Sequence, residues 1–199
     1  LCAVVVSGEG SFFCAGYDLE EIPSEPGSAG RMVGVLDDFI AAVATLPVPT
    51  VAVVNGGAYG AGFELAIACD LRLTTRAARW CMPPAKFGIL YSLSGMRRLE
   101  LVVGSQRARY LLYTAAVLDG DRAAAWGLAL EALDDQGALQ RRVFELLDEL
   151  RSVRCVSSRA AKQLLSAAET QVPGTLLRTA EKLRASLFAA ADLPPSKLR

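Results

Sequence analysis

The densest chemistry in this 199-residue chain lies between Val51 and Leu65. An apolar, β-branched run, Val51–Val54, feeds a turn holding Gly56, Gly57, Gly60 and Gly62, and Glu64 follows in the apolar segment Ala61–Cys69. The order reads as strand, glycine-rich turn, helix. Glycine tolerates positive φ and lets a ligand approach the main chain closely. A helix starting at such a turn leaves its first amides without intrahelical acceptors and aims the positive end of its dipole into the turn. That arrangement suits an anion or an oxyanion. The same pattern also lets a helix pack tightly on a sheet, so the turn alone is a weak signal.

Glu64 has no Lys or Arg three or four residues away on either side. A carboxyl in so apolar a stretch is expected to be desolvated, which favours its neutral form and prepares it for proton transfer. A first-turn acid complementing the helix dipole, worth about 0.3–1 kcal/mol, fits the same position. Asp70, at the end of this segment, reads as a cap or a structural pairing group.

Other chemistries are excluded or disfavoured by composition. The chain has no histidine, which removes Ser-His-Asp triads, Cys-His pairs and His-ligated metals; no metal site is predicted. Five cysteines, an odd number without CxxC spacing, argue against a disulfide framework or a zinc site and fit a reducing, cytoplasmic setting. Cys14 and Cys69 read as small buried residues. Lys plus Arg equals Asp plus Glu at 21 each, so nothing electrostatic draws the chain to nucleic acid or an anionic membrane. The apolar run Ala58–Cys69 is broken by Glu64 and is too short to span a bilayer. No basic stretch precedes an apolar one near Leu1, and no secretory signal is expected.

The elements that must position the turn follow from periodicity. Ala3–Ser7, Phe12–Cys14, Thr50–Val54 and Leu71–Thr75 read as strands. Asp18 is placed to cap a short helical piece over Leu19–Ile22, and Pro23–Gly30 reads as a loop. Val33, Leu36, Ile40 and Val43 mark a helix that Pro47 and Pro49 stop. Two helices, Gly95–Val103 and Ser105–Tyr113, break at Gly104, with Ser92 and Ser94 as caps. Asp121 is predicted to cap a short helix that Gly127 ends. Leu139, Val143, Leu146 and Leu150 mark one further helix; Leu176, Ala180, Leu183 and Leu187 mark the last, closed by Pro194 and Pro195. Strands and helices alternate to about residue 80 and helices dominate afterwards, an α/β fold with a helical C-terminal part. The expected organisation is a core over residues 1–130 and a helical region over 131–199, together one structural unit. The β-branched run starts almost at residue 1, so an upstream segment is expected.

Phe12–Leu19, then Pro49–Gly56, then Gly60–Asp70, resemble the enoyl-CoA hydratase/isomerase (crotonase) superfamily. Pro83, Gly88-Ile89, Gly95, Arg98-Leu99 and Gly104 continue the match in order, as does the region from Leu112 to Leu128. The resemblance implies a spiral of ββα units that holds an acyl-CoA thioester, with coenzyme A as part of the substrate and no separate cofactor. It places the oxyanion-hole amides at Tyr17 and Ala61, and substrate contacts at Ala15, Gly16, Asp18, Gly60, Pro84 and Ile89. Two such amides would stabilise an enolate, each donor being worth about 2.7–4 kcal/mol. Since the donors are main-chain groups, a tyrosine side chain at 17 changes the pocket wall without removing them. The resemblance further implies a homotrimer or hexamer. It also implies first strands and a helix ahead of residue 1 and another helix beyond Phe188.

The chain departs from the family pattern at one reacting position. Of the two glutamates the hydratases use, Glu64 matches the first, and the second falls on Pro84, which has no proton to give. Each general acid or base contributes about 10²–10⁴-fold, so a two-carboxylate hydration is in doubt. The segment Met82–Gly95 is similar instead to the methylmalonyl-CoA decarboxylase branch, where a tyrosine at the position of Tyr91 lies near the departing carboxylate; a histidine of that branch is replaced here by Tyr17. A non-catalytic acyl-CoA binder is a third reading. Tyr91 also fits a wall residue with its hydroxyl satisfied locally. Lys86, Arg97 and Arg98 could meet CoA phosphates, with solvated surface positions the expectation for each.

Overall fold

The computed structural model describes residues 1–18, 28–169 and 174–190. Strands β1 (Val4–Ser7), β3 (Thr50–Val54), β5 (Leu71–Thr75) and β8 (Glu131–Leu133) form one parallel sheet in the order β1-β3-β5-β8. Strands β2 (Phe12–Cys14), β4 (Gly57–Tyr59), β6 (Arg79–Cys81) and β7 (Val117–Asp119) form a second sheet, parallel except for β6 against β7. Each early unit gives one strand to each sheet and then a helix. Strands β1 and β2 precede α1 (Ser28–Ala44), and β3 and β4 precede α2 (Ala61–Ala68). This is the repeating ββα pattern.

Strand β3 shows why the sheets stack. All five of its residues are buried, as expected for a central parallel strand covered on both faces. Ala52 and Val54 join the main core with Phe63, Ile67, Trp80, Leu99 and Leu118. Val51 and Val53 turn to the other side, against Leu73 and the Leu139, Val143 and Leu146 stripe of α6 (Gln136–Ser152). Phe63 of α2 meets Trp80 of β6 edge to face at 5.5 Å, and the indole N–H donates to Thr74 Oγ1 at 3.2 Å. The helix after the glycine-rich turn is thereby pressed onto the second sheet.

Helices α3 (Leu93–Val103) and α4 (Ser105–Thr114) break at Gly104, as the sequence predicts. Three expectations are corrected. The glycine-rich turn contains strand β4, three residues whose edge pairs with both β2 and β6. Ser28–Gly30 belong to α1. The cap of α5 (Gly120–Ala125) is Asp119, which accepts from Arg122 N–H, while Asp121 lies inside the first turn and pairs with Arg76. The predicted piece Leu19–Ile22 and the loop residues 23–27 lie outside the described residues.

Helix α7 (Cys155–Glu169) leaves Val156, Leu164 and Leu165 exposed. A part-buried ion pair anchors it. Lys162, 7% exposed, donates from Nζ to Asp70 Oδ2 at 2.7 Å and to the Val48 carbonyl at 3.0 Å. Asp70 Oδ2 also accepts from Thr50 N–H at 2.7 Å and Thr50 Oγ1 at 2.8 Å. This knot ties α7 to the start of β3 and to the residue just beyond α2. The last helix, α8 (Gly174–Ala190), is held by Arg184, which pairs with Asp37 of α1 and donates to the Leu90 carbonyl at 3.0 Å. Lys162→Met leaves Asp70 short of its buried cation and is expected to cost about 2–3 kcal/mol in urea denaturation, below the full range for a wholly buried pair because Asp70 keeps some solvent. Arg76→Ala, which removes an exposed pair, should leave the unfolding midpoint in place.

Candidate active site

Two chain turns meet at the start of α2. The first follows β2 and runs through Ala15, Gly16, Tyr17 and Asp18; the second is Gly60-Ala61. Gly16 has φ +97°, and a Cβ on it would sit 2.7 Å from the Tyr59 carbonyl oxygen and 3.6 Å from the Ala61 amide nitrogen. Only glycine fits there, by both conformation and space. Gly60 precedes α2 with φ 54° and ψ −117°, and its N–H donates to the Cys81 carbonyl at 3.0 Å. Ala61 then opens the helix, where helical geometry supplies no acceptor for its amide. The first such acceptor is the Gly60 carbonyl, which takes the Glu64 N–H at 3.1 Å. Sequence positions 16–17 and 60–61 are thus brought together. Ala15 and Asp18 are exposed beside this junction, and Tyr17 is half-buried.

Glu64 lies one turn into α2 and is 2% exposed. Its Oε1 accepts from Ser92 Oγ at 2.7 Å, and Ser92, the N-cap of α3, also takes the Gly95 N–H at 2.9 Å. A Cβ on Gly95 would fall 2.1 Å from Glu64 Oε1, so the absence of a side chain at 95 makes room for the carboxyl. Burial raises the Glu64 carboxyl above its ordinary value; the Ser92 hydrogen bond opposes this, the Asp37 charge adds to it, and Arg184 and Arg98 oppose it. The carboxyl is biased toward its protonated form.

Tyr91 is 9% exposed, and its hydroxyl lies 3.6 Å from where a Cβ would stand on Gly60. Burial pushes the phenol well above its usual value, with the Glu64 and Cys81 charges adding. Its hydroxyl makes no hydrogen bond among the described residues. It is therefore a neutral donor beside the turn. Pro84 is buried at the start of a 3₁₀ turn, Pro84–Phe87, and the half-buried Ile89 donates its N–H to the Pro84 carbonyl at 3.0 Å. Gly88, in left-handed conformation, reverses the chain so that Tyr91 and Ser92 reach Gly60 and Glu64.

Glu64 also lines a cavity of about 100 Å³, together with Asp37, Ile40, Ser92, Ser94 and Arg98. Arg98 is not the solvated surface cation the sequence predicts: its Nη1 is buried and has no hydrogen-bond partner among the described residues. Ser94 is not a cap; its hydroxyl shares a 3.1 Å hydrogen bond with Ser92. Lys86 is exposed. Burial pushes the Cys69 thiol up to about 11, which keeps it protonated and inert. The link from Ser92 to Glu64 was not legible in the sequence, because 28 residues separate a helix cap from a carboxyl in another helix.

The chain matches the family described as enoyl-CoA hydratase/isomerase over residues 1–195, and it belongs to that family. It is 37% identical over 154 residues to mitochondrial methylglutaconyl-CoA hydratase of Mus musculus, covering 75% of this chain and 49% of that protein. It is 39% identical over 139 residues to a probable enoyl-CoA hydratase of Mycobacterium tuberculosis, covering 67% and 52% respectively. The chain spans about half the length of these curated relatives. Among solved structures it resembles an enoyl-CoA hydratase from Bacillus halodurans, with TM-score 0.82, 26% identity and coverage of 94% of this chain and 77% of that one. It shares its fold with a methylmalonyl-CoA decarboxylase in complex with 2-nitronate-propionyl-CoA, at TM-score 0.85, 20% identity and coverage of 94% and 74%.

The raised Glu64 carboxyl has a consequence for stability. Its contribution is fully present below the unfolded carboxylate value and is lost as pH rises through the raised folded value. Glu64→Gln does not titrate. Its stability relative to wild type should therefore climb between about pH 4 and pH 8, by about 1.4 kcal/mol for each tenfold gain in proton affinity on folding. Urea denaturation at both pH values reads this; parallel profiles for the two proteins would disprove the bias.

Proposed function

We propose that this chain acts on an acyl-CoA thioester through an enolate. The amides of Tyr17 and Ala61 hold the oxygen, Glu64 moves the proton, and Tyr91 supplies a second polar group. One observation supports this most directly: a buried carboxyl, biased toward its neutral form and fixed by Ser92, stands in the first turns of a helix whose opening amide abuts Gly16. Such a site provides fixed dipoles for a developing negative charge and a proton held nearby in a poorly hydrated pocket. Gly16, Gly60, Pro84 and Ile89 shape the pocket around the acyl group, with Ala15 and Asp18 at its rim. No bound cofactor or metal enters this scheme.

Pro84, at the position of the second family glutamate, leaves water activation without a base. A single-acid reaction fits better, either double-bond isomerisation or slow hydration. The Tyr91 hydroxyl, unpartnered and beside Gly60, favours a specific second reading, decarboxylation of an α-carboxyacyl-CoA. In that step the bond from the α-carbon to the carboxylate breaks and CO₂ leaves. The electron pair enters the thioester as an enolate, and a proton from Glu64 or Tyr91 completes the α-carbon. The sequence reading of a non-catalytic acyl-CoA binder is the remaining alternative. A trimer or hexamer in the cytoplasm is part of the same proposal. Exposed Leu101 and Tyr113 on α3 and α4, and Leu164 and Leu165 on α7, offer apolar faces for subunits to cover.

Turnover of crotonyl-CoA, of a β,γ-unsaturated acyl-CoA and of methylmalonyl-CoA separates these readings. Glu64→Gln should lower kcat by about 10²–10⁴-fold with acyl-CoA binding retained; an unchanged rate would remove Glu64 from the mechanism. Ser92→Ala should lower kcat less than Glu64→Gln and shift the pH profile of the residual rate. Tyr91→Phe should slow CO₂ release alone, and equal slowing of isomerisation would count against a dedicated carboxylate contact. Binding of CoA esters without turnover of any would favour the binder.

A further inference from the structure

Two cysteines that the catalytic scheme leaves unused lie together although far apart in sequence. Cys155, the first residue of α7, donates its thiol proton to Cys2 Sγ across 3.1 Å, and the two are 153 residues apart in sequence. Both are free and half-buried. The contact is held from both sides. Arg159, one turn along α7 from Cys155, donates from Nη2 to the Leu1 carbonyl at 2.7 Å, and the Val4 N–H donates to the Pro49 carbonyl at 2.9 Å as β1 begins. Closing the gap to a sulfur–sulfur bond of about 2.05 Å takes a movement of about 1 Å, within reach of side-chain rotation. The other cysteines have no such contact; Cys69 and Cys81 are buried and Cys14 lies half-buried in β2.

We propose that Cys2 and Cys155 are a redox-sensitive pair that forms an intramolecular disulfide when a low-molecular-weight disulfide of the glutathione type is in excess. The Cys2 thiolate attacks one sulfur of the oxidant and expels a thiolate, leaving a mixed disulfide on Cys2. The Cys155 thiolate then attacks Cys2 Sγ and expels the second thiolate. Two protein thiols lose two protons and two electrons, and one oxidant disulfide becomes two small thiols. The 3.1 Å contact places Cys155 for the second attack once Cys2 carries the mixed disulfide.

The bond would pin the first turn of α7 to the strand-order start of the first sheet. Helix α7 carries Lys162, which fixes Asp70 beyond the end of α2, and Ser166, which lines the cavity beside Glu64. Oxidation therefore adds a covalent tie to a helix whose Val156, Leu164 and Leu165 stay exposed. A cross-link closing so long a loop restricts the unfolded chain strongly. Because half-buried, exchange-accessible thiols respond to the surrounding poise, the pair is reduced where small thiols dominate and closed where they do not.

The test uses the full chain, reduced and then equilibrated in mixtures of reduced and oxidised glutathione. Intact mass should fall by two hydrogens with no glutathione adduct at equilibrium, and peptide mapping should join the peptides of Cys2 and Cys155. The oxidised protein should melt about 5–15 °C higher than the reduced one. Cys155→Ser should match reduced wild type in melting and should gain nothing on oxidation. Persistent glutathione on Cys2, a bridge using Cys14, disulfide-linked dimers, or an oxidised protein no more heat-resistant than the reduced one would each overturn the assignment. None of these readouts depends on acyl-CoA turnover, so the pair and the proposed reaction stand or fall separately.

Discussion

A carboxyl withdrawn from water must be neutral, paired or matched by hydrogen bonds, and Glu64 meets that demand in an unusual place. It sits in the first turns of a helix, where the dipole favours negative charge, yet it is buried and lines a cavity with Ile40 and Ala41. One hydroxyl, from Ser92, answers it directly. The rest of the architecture can be understood as what is needed to hold a group in that intermediate state. Helix α3 must begin at Ser92 to present the hydroxyl, and position 95 must lack a side chain to admit the carboxyl. The chain reversal at Gly88 has to bring Tyr91 back over the turn. Each requirement is local, and the first two converge on one carboxyl.

The junction of the two turns is the second constraint. Gly16 presses on the Tyr59 carbonyl and lies beside the Ala61 amide, a contact impossible for any other residue without displacing main chain. The parallel pairing of β2 with β4 makes it, since both turns leave the same end of neighbouring strands. A ββα repeat does this automatically. Successive strands of the second sheet end side by side, and the loops after them are brought together whatever their sequence.

Pro84 is buried at the start of a 3₁₀ turn that Gly88 ends, and Tyr91 then places its hydroxyl beside Gly60. Ser92 chiefly, then Arg184 and Arg98, oppose the rise that burial imposes on the Glu64 carboxyl.

By itself the sequence determined the alternation of strands and helices, the break at Gly104, the strand–turn–helix unit around Gly60 and the desolvation of Glu64. These follow from apolar periodicity, glycine placement and the lack of nearby cations, all of which act over a few residues. Strand β4 stayed hidden because three residues too short for a periodic signal are held by partners on both sides, and the Lys162–Asp70 pair that anchors α7 joins residues 92 positions apart. Only the tertiary structure decided that Ser92 restrains Glu64, that Arg98 turns inward, and that Cys2 meets Cys155. Those contacts join residues 28 to 153 positions apart, and their existence depends on how whole elements pack, which no local pattern records.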